Sequence, residues 1–229
     1  LMIILYVSFV SCELPNEPKD ENKWVSISNS TLSNMTVQEI AVSSHSIQNV
    51  YLGTYKGVFK STSAGDSWSL YTNGLTNKDI RALAIDPKDP TIVYAGSWGK
   101  GVYKSLDGGV NWTAIGDENQ PPLVNSLVAT NNGSSTTLWS ATENGVYKSA
   151  DKKTWTKNYS NSKVLTIAAS PHDDNMLFVG IRYKGNFRTT NLGDSWQAVN
   201  SGVYATSDGI AAANSFAFNY TDNDNITFS

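Results

Sequence analysis

Cysteine is almost missing from these 229 residues. Cys12 stands alone, so no disulfide can form within the chain and no thiolate cluster can hold a metal. Histidine is nearly as scarce. His45 and His172 are far apart, and His172 follows Pro171 in a turn, which argues against a metal centre or a histidine relay. Positive charge is not in excess: the net charge is -3, without the basic footprint of a nucleic-acid binder. No Gly-rich phosphate loop stands between a strand and a helix. No segment sustains an apolar period of 3.6 residues, so essentially no helix is expected beyond the first dozen residues. No cofactor is implied by any of this.

Long apolar runs are also lacking. The opening run from Leu1 to Val10 falls short of the ~20 residues that cross a bilayer, but it fits the hydrophobic core of a secretory signal. Its end, Ser11-Cys12, resembles a bacterial lipoprotein signal, and the resemblance implies lipidation of Cys12 after cleavage. Phe9 departs from the aliphatic residue usual three places before such a Cys, and no basic segment precedes Leu1. A buried first strand with an incidental Cys is the alternative. Residues 13–23 (ELPNEPKDENK) carry two prolines and almost no apolar side chain, which reads as a polar tether. The chain thus divides into a signal-like segment at 1–12, a tether at 13–23 and a folded region at 24–229.

What is abundant is Gly, Ser, Thr, Asn and aromatic residues, a composition for short strands and tight turns. Five tryptophans, Trp24, Trp68, Trp112, Trp155 and Trp196, recur at intervals of 41 to 44 residues. A period of that length with strand-like content indicates propeller blades. One period shows the parts. Ile80 to Ile85 alternates and stops before Pro87. Ile92–Gly96, Gly101–Ser105 and Trp112–Ile115 then supply three more short strands between Gly, Asn, Asp and Pro punctuation. The third strand recurs as Gly57–Ser61, Gly145–Ser149 and Gly185–Thr189. The first recurs as Ile40–Val42, Leu165–Ala168 and Ser215–Phe218. The expected fold is all-β, a β-propeller of four-stranded antiparallel blades with about four and a half blades present.

Between the third and fourth strands lies Ser105-Leu106-Asp107-Gly108-Gly109-Val110-Asn111-Trp112. It resembles the Asp-box, Ser-x-Asp-x-Gly-x-x-Trp, of the sialidase-type (BNR) repeat. A carboxylate can accept backbone N–H bonds inside a tight turn, glycine takes the positive φ, and the indole buries a large apolar area over the hairpin. Other copies are degenerate. Ser61, Gly65 and Trp68 surround Ser63, which replaces the Asp. Ser149, Asp151 and Trp155 belong to a copy one residue short that lacks the Gly. Thr189, Asn191, Gly193 and Trp196 preserve the acceptor chemistry. Such tolerance fits a structural turn. Similar repeats occur in photosystem II assembly-factor propellers, sortilin-type receptors and xyloglucan-cleaving glucanases.

Trp24–Ser28 looks like an outer strand without its first three, and would complete the last blade by closing the ring. The stretch from Phe216 to Phe228 reads as a first strand, a turn and the start of a second. A ring of six to eight blades needs roughly 260–350 residues, so this is expected to be part of a larger ring. A five-bladed ring is the alternative.

In propellers of this topology the turns between second and third strands share the face of the channel mouth. Here those turns carry Tyr55 and Lys56, Trp98 and Lys100, Glu143, and Arg182, Tyr183 and Lys184. Aromatic and cationic residues at equivalent places suit stacking on sugar rings or holding acidic peptide groups, and they also suit ordinary exposed turns. Sialidases of this repeat family clamp a carboxylate with three Arg. The chain has only Arg81, Arg182 and Arg188, the last in the third-strand place that Lys60, Lys104 and Lys148 hold in the other copies, and the family's Arg-Ile-Pro element is missing. Xyloglucan-cleaving relatives need two carboxylates facing across a cleft. Asp79, Glu118, Glu143 and Asp173 are loop carboxylates that the sequence cannot pair. Sequons at Asn29, Asn34, Asn111 and Asn158 bear only on a eukaryotic secretory route. No residue is singled out as catalytic. The expected function is a non-enzymatic, extracytoplasmic scaffold (a periplasmic or cell-surface lipoprotein, otherwise secreted) that binds a protein or glycan. No nucleic-acid partner is expected, and the membrane only through a lipid anchor. The alternative is a glycoside hydrolase or a carbohydrate-binding propeller.

Overall fold

The computed structural model describes residues 31–218, apart from 132, 134, 160, 204 and 207, together with 226–228. Cys12, the tether and Trp24–Ser28 lie outside the described residues. The alternating segments fold into four antiparallel sheets of four strands each, paired in chain order. The first comprises β1 Val37–Ser43, β2 Ser46–Thr54, β3 Gly57–Ser61 and β4 Ser69–Tyr71. The second comprises β5 Ile80–Ile85, β6 Val93–Ser97, β7 Val102–Ser105 and β8 Thr113–Ile115. The third comprises β9 Val124–Asn131, β10 Thr136–Thr142, β11 Gly145–Ser149 and β12 Thr156–Tyr159. The fourth comprises β13 Val164–Ala169, β14 Leu177–Ile181, β15 Gly185–Thr189 and β16 Gln197–Ala198. Among the described residues there is no helix.

Consecutive sheets meet through their first strands: β1 touches β5, β5 touches β9 and β9 touches β13. That succession is the geometry of propeller blades with the first strand innermost, and the chain forms part of a β-propeller. A short hairpin follows β16, β17 Ala205–Thr206 with β18 Gly209–Ile210, which the repeat pattern does not foretell. Next come β19 Phe216–Phe218, in contact with β13, and its antiparallel partner β20 Ile226–Phe228.

The core lies between blades. Trp112 packs with Tyr51 and Val58 of the blade before it as well as with Leu83 and Tyr103 of its own. Trp155 joins Ala84, Tyr94 and Val102 of the second blade to Leu127 and Leu138 of the third. Trp112 and Trp155, like Trp196 between the third and fourth blades, therefore glue blade to blade, where the sequence suggested cover for their own hairpins. Burying such a side chain is worth a few kcal/mol, which explains why the Trp persists where the rest of its turn motif drifts.

The four turns between third and fourth strands share one hydrogen-bond plan despite their drift. Asp107 Oδ1 accepts from the N–H of Asn111 at 2.9 Å, Asn191 Oδ1 from that of Ser195 at 3.0 Å, and Ser63 Oγ from that of Ser67 at 3.1 Å. In the short copy Asp151 Oδ1 accepts from Lys153 and Thr154. The hydroxyls of Ser61, Ser105 and Thr189 take the N–H of Gly65, Gly109 and Gly193. Those hydrogen bonds hold Asp107 and Asp151 at a pKa of about 2. The glycine takes its positive φ, at 105° in Gly65, 88° in Gly109 and 84° in Gly193, and it is not alone in that region. The preceding residue is there too: Ala64 at φ 53°, Gly108 at 67°, Leu192 at 53°, and Lys152 at 59° in the copy without a Gly. A side chain there is strained by roughly 1–2 kcal/mol. Exposed Ala64 tests this. Ala64→Gly should stabilise the chain by about 0.5–1 kcal/mol after the added chain entropy of glycine, read as a higher urea midpoint of unfolding.

The left-handed turn also turns a carbonyl toward the neighbouring blade. Lys60 on β3 donates from Nζ to Gly108 O at 2.8 Å, alongside the Tyr51 hydroxyl at 3.2 Å. Lys148 on β11 reaches Leu192 O at 3.3 Å. Each of these lysines also lies over the aromatic ring paired with it across the strands, Tyr51 for Lys60 and Trp139 for Lys148. In two blades the third-strand lysine is thus an inter-blade strut.

Candidate functional site

At the opposite end of the blades from these turns, each second strand hands over to the third through a tight connection. In three blades a hydroxyl closes it. Thr54 Oγ1, Ser97 Oγ and Thr142 Oγ1 donate to the carbonyls of Gly57, Gly101 and Gly145 at 2.8–3.0 Å. Each also accepts the N–H of a tip residue, Lys56, Lys100 or Asn144. The fourth blade has Ile181 at that place. Its turn instead puts Tyr183 at φ 64° and is braced by the extra hairpin, where Ile210 N–H donates to Tyr183 O at 3.1 Å. Gly209 must lack a side chain there, because a Cβ would stand 2.3 Å from that carbonyl. The tips that carry the candidate residues are therefore held rigidly.

The first strands add a feature that the sequence reading missed. In every blade the register slips by one residue near the start of the first strand, opposite Gln38, Arg81, Asn125 and Leu165. Bulges of this kind re-aim a side chain. The available signal was an apolar residue followed by an off-pattern one at each strand start, as in Ile80-Arg81 and Val124-Asn125.

Two of the bulged residues assemble the site. Arg81 donates Nε to Asp79 Oδ1 at 3.2 Å and Nη2 to Asp79 Oδ2 at 3.0 Å, and its guanidinium stacks on Trp98, 3.9 Å from the ring centre. Asn125 donates Nδ2 to Glu143 Oε1 at 3.1 Å and to Val164 O at 2.8 Å, bridging the third and fourth blades. Lys163 pairs with Glu143 Oε1 at 2.8 Å and lies 6.0 Å from the centre of the same Trp98 ring. Partial burial pushes the Glu143 carboxyl upward, but the hydrogen bonds of Lys163 and Asn125 and the charges of Lys163 and Arg182 outweigh it, and its pKa ends lowered. The Trp98 backbone is fixed as well, its N–H donating to Asp79 O at 2.8 Å and an isolated antiparallel bridge pairing it with Leu123.

The candidate residues are thus brought together only in part. Trp98 and Glu143 join one cluster with Asp79, Arg81, Asn125 and Lys163. Arg182 lies 4.9 Å from the Tyr183 ring, and Lys56 lies 5.6 Å from the Tyr55 ring, each pair within its own turn. Tyr55 and Tyr183 present 45% and 56% of their surface to a ligand, each beside the cation of its own turn, and Trp98 has Arg81 against one face. Lys100 and Lys184 are exposed at the tips. Of the other loop carboxylates, Glu118 is exposed, and Asp173 caps Asn175 N–H in the turn between β13 and β14. That turn contacts the Asn191 turn through Leu192 N–H, at the far end from Glu143.

Glu39 is a further residue that sequence reasoning passed over. It sits on β1 opposite Gly53, which itself abuts Ile80 of the next blade. Burial raises its pKa to about 7, countered weakly by the N–H of Ile40. A raised carboxylate pKa favours the folded state when protonated. The stability it adds is complete below about 4.5 and is lost as pH rises through about 7. The wild-type chain should therefore gain on the order of 1–3 kcal/mol on acidification across that window, and Glu39→Gln should abolish the gain. Melting temperatures at about pH 5 and pH 8 check this. Below about pH 4 the trend reverses as Asp107 and Asp151, held near 2, protonate.

Comparison with known proteins bears on the fold. No protein-family model matches the sequence, and no curated protein does. Among solved structures, the GH74 xyloglucanase of Xanthomonas campestris is similar at 14% identity and a TM-score of 0.60, with 82% of this chain and 34% of that one covered. The extracellular domain of BT3049 from B. thetaiotaomicron is similar at 18% identity and a TM-score of 0.61, covering 82% and 24%. YCF48, solved bound to a D1 peptide, is similar at 12% identity and a TM-score of 0.53, covering 85% and 60%. The chain spans about a quarter to a third of the GH74 and BT3049 chains. At these identities the likeness establishes architecture alone: the chain is part of a β-propeller.

Proposed function

We propose that this chain is part of an extracytoplasmic, non-enzymatic propeller that holds a protein or glycan ligand at the mouth-side face carrying Trp98, Glu143 and Tyr183. The observation that carries the reading is the state of the two carboxylates at this face. Asp79 is engaged by Arg81, and Glu143 by Lys163 and Asn125. A glycosidase needs an acid and a base facing each other across the scissile bond. Carboxylates each tied to their own cation make an ordered polar surface instead, flanked by the open rings of Tyr55 and Tyr183. That combination suits recognition. The four turn motifs, with the hydrogen bonding expected of Asp-box repeats, serve the blades and not the ligand. Location outside the cytoplasm rests on the signal-like segment before Cys12, and it is in keeping with neighbours that are extracellular domains.

The test is a screen of glycans and periplasmic proteins against the chain and its Trp98→Ala and Tyr183→Ala variants, with melting temperatures confirming that the variants fold. A ligand of the mouth face should lose at least about tenfold in affinity in one variant or both. If no interaction found with the wild-type chain responds to either substitution, this face is not where binding occurs.

A further inference from the structure

The polar groups at the mouth do not fully satisfy one another. Arg81 spends Nε and Nη2 on Asp79, and Trp98 covers one face of its plane, which together orient the guanidinium. Its Nη1 has no partner among the described residues, and the side chain is 34% exposed. What remains is the end-on edge of the fork, with one N–H from each Nη. That edge matches the two oxygens of a carboxylate. On Glu143, Asn125 and Lys163 both bind Oε1, so Oε2 remains an open acceptor. Arg81 and Glu143 are linked through one indole ring and one ammonium, Trp98 and Lys163.

The charge at this patch has the sign a ligand acid requires. Arg81, Lys163 and Arg182 oppose Asp79 and Glu143, which leaves one positive charge uncompensated in a chain whose net charge is -3. We infer that the mouth cluster binds an acidic oligosaccharide, the carboxylate of a uronic acid lying on the Nη edge of Arg81 and a ring hydroxyl donating to Glu143 Oε2. This rests on the proposal that the mouth is a binding face, and it names the ligand. A uronic acid supplies one carboxylate per ring among hydroxyls that both donate and accept, as a patch with one open donor edge and one open acceptor demands. An acidic peptide offers one backbone N–H donor per residue, against the several hydroxyls that each uronic acid ring sets beside its carboxylate.

Isothermal titration of the full chain with trigalacturonate, galactotriose and hexaglutamate tests the assignment. Trigalacturonate should bind, and galactotriose should bind at least about tenfold more weakly for want of the charge-assisted pair. Arg81→Lys keeps the charge but loses the fork, and should weaken trigalacturonate by about tenfold or more without changing galactotriose. Salt gives a second readout that needs no variant, since the trigalacturonate affinity should fall as ionic strength rises and the galactotriose affinity should not. Equal binding of the neutral and acidic trisaccharides, or hexaglutamate binding as tightly as trigalacturonate through Arg81, would overturn the uronic acid while leaving the mouth a binding face. Trigalacturonate that fails to bind the folded wild-type chain overturns it too, and the Trp98→Ala and Tyr183→Ala screen then decides the broader reading separately.

Discussion

Alanine in place of Gly74 is expected to destabilise the chain by about 3 kcal/mol or more, among the largest effects of any single methyl group in it. Two independent costs meet at this position. Its φ of +85° lies where a Cβ is strained. The added carbon would also stand 1.8 Å from the carbonyl oxygen of Trp112, a backbone atom that cannot swing aside. Trp112 is held in place on its other side, since its N–H donates to Asn73 O at 2.9 Å and Asn73 and Asn111 form a bridge between the two segments. Relief of the clash requires the link between the first two blades to open, and the Trp112 indole with it. A urea titration should show the loss as a lower midpoint. A Gly74→Ala chain as stable as the wild type would mean that this link is not the close contact described.

Trp139→Ala should cost about 3–5 kcal/mol. Its side chain is fully buried within the cluster that joins the third and fourth blades, beside Val179 and Ile181. Three further interactions go with it. The indole N–H donates to the hydroxyl of buried Thr130 at 3.1 Å, the ring carries the Lys148 ammonium at 4.7 Å, and its edge fills the space beside Gly193, where a Cβ would come within 2.9 Å. Truncation leaves a cavity, orphans Thr130 and frees the strut from Lys148 to Leu192. Trp139→Phe keeps the apolar bulk and should cost about half as much or less, losing mainly the hydrogen bond. Thermal melts of the two variants side by side measure the difference.

Neither of these positions stands out in the sequence. The tryptophan period draws the eye to Trp68, Trp112, Trp155 and Trp196, and it correctly marks the residue before each fourth strand. Trp139 falls off that period, because it shares with Tyr51, Tyr94 and Phe178 a second-strand place where any large ring serves. Gly74 reads as one more turn glycine until Trp112 is seen above it. The same holds at the mouth. Trp98 and Glu143 could be nominated from equivalent turns, but Arg81, Asn125 and Glu39 lie within or beside strands, where alternation alone assigns them a face. A one-residue slip in register re-aims Arg81 and Asn125, and pairing partners in the second strand reveal that slip.

Local chemistry wrote the blades into the sequence. Alternation, glycine and asparagine at turns, and a recurring hydroxyl or carboxylate cap act over a few residues, so four strands per period and the repeat itself could be read without coordinates. Only tertiary structure decided which residues meet across blades. Trp112 and Trp155 pack against the preceding sheet, Lys60 and Lys148 reach the next turn, and Asp79 and Glu143 find cations instead of each other. The hydrogen bond from Lys60 to Gly108 alone spans 48 positions. The geometry of such contacts depends on how one sheet is set against the next, a quantity that no short-range pattern of residues encodes.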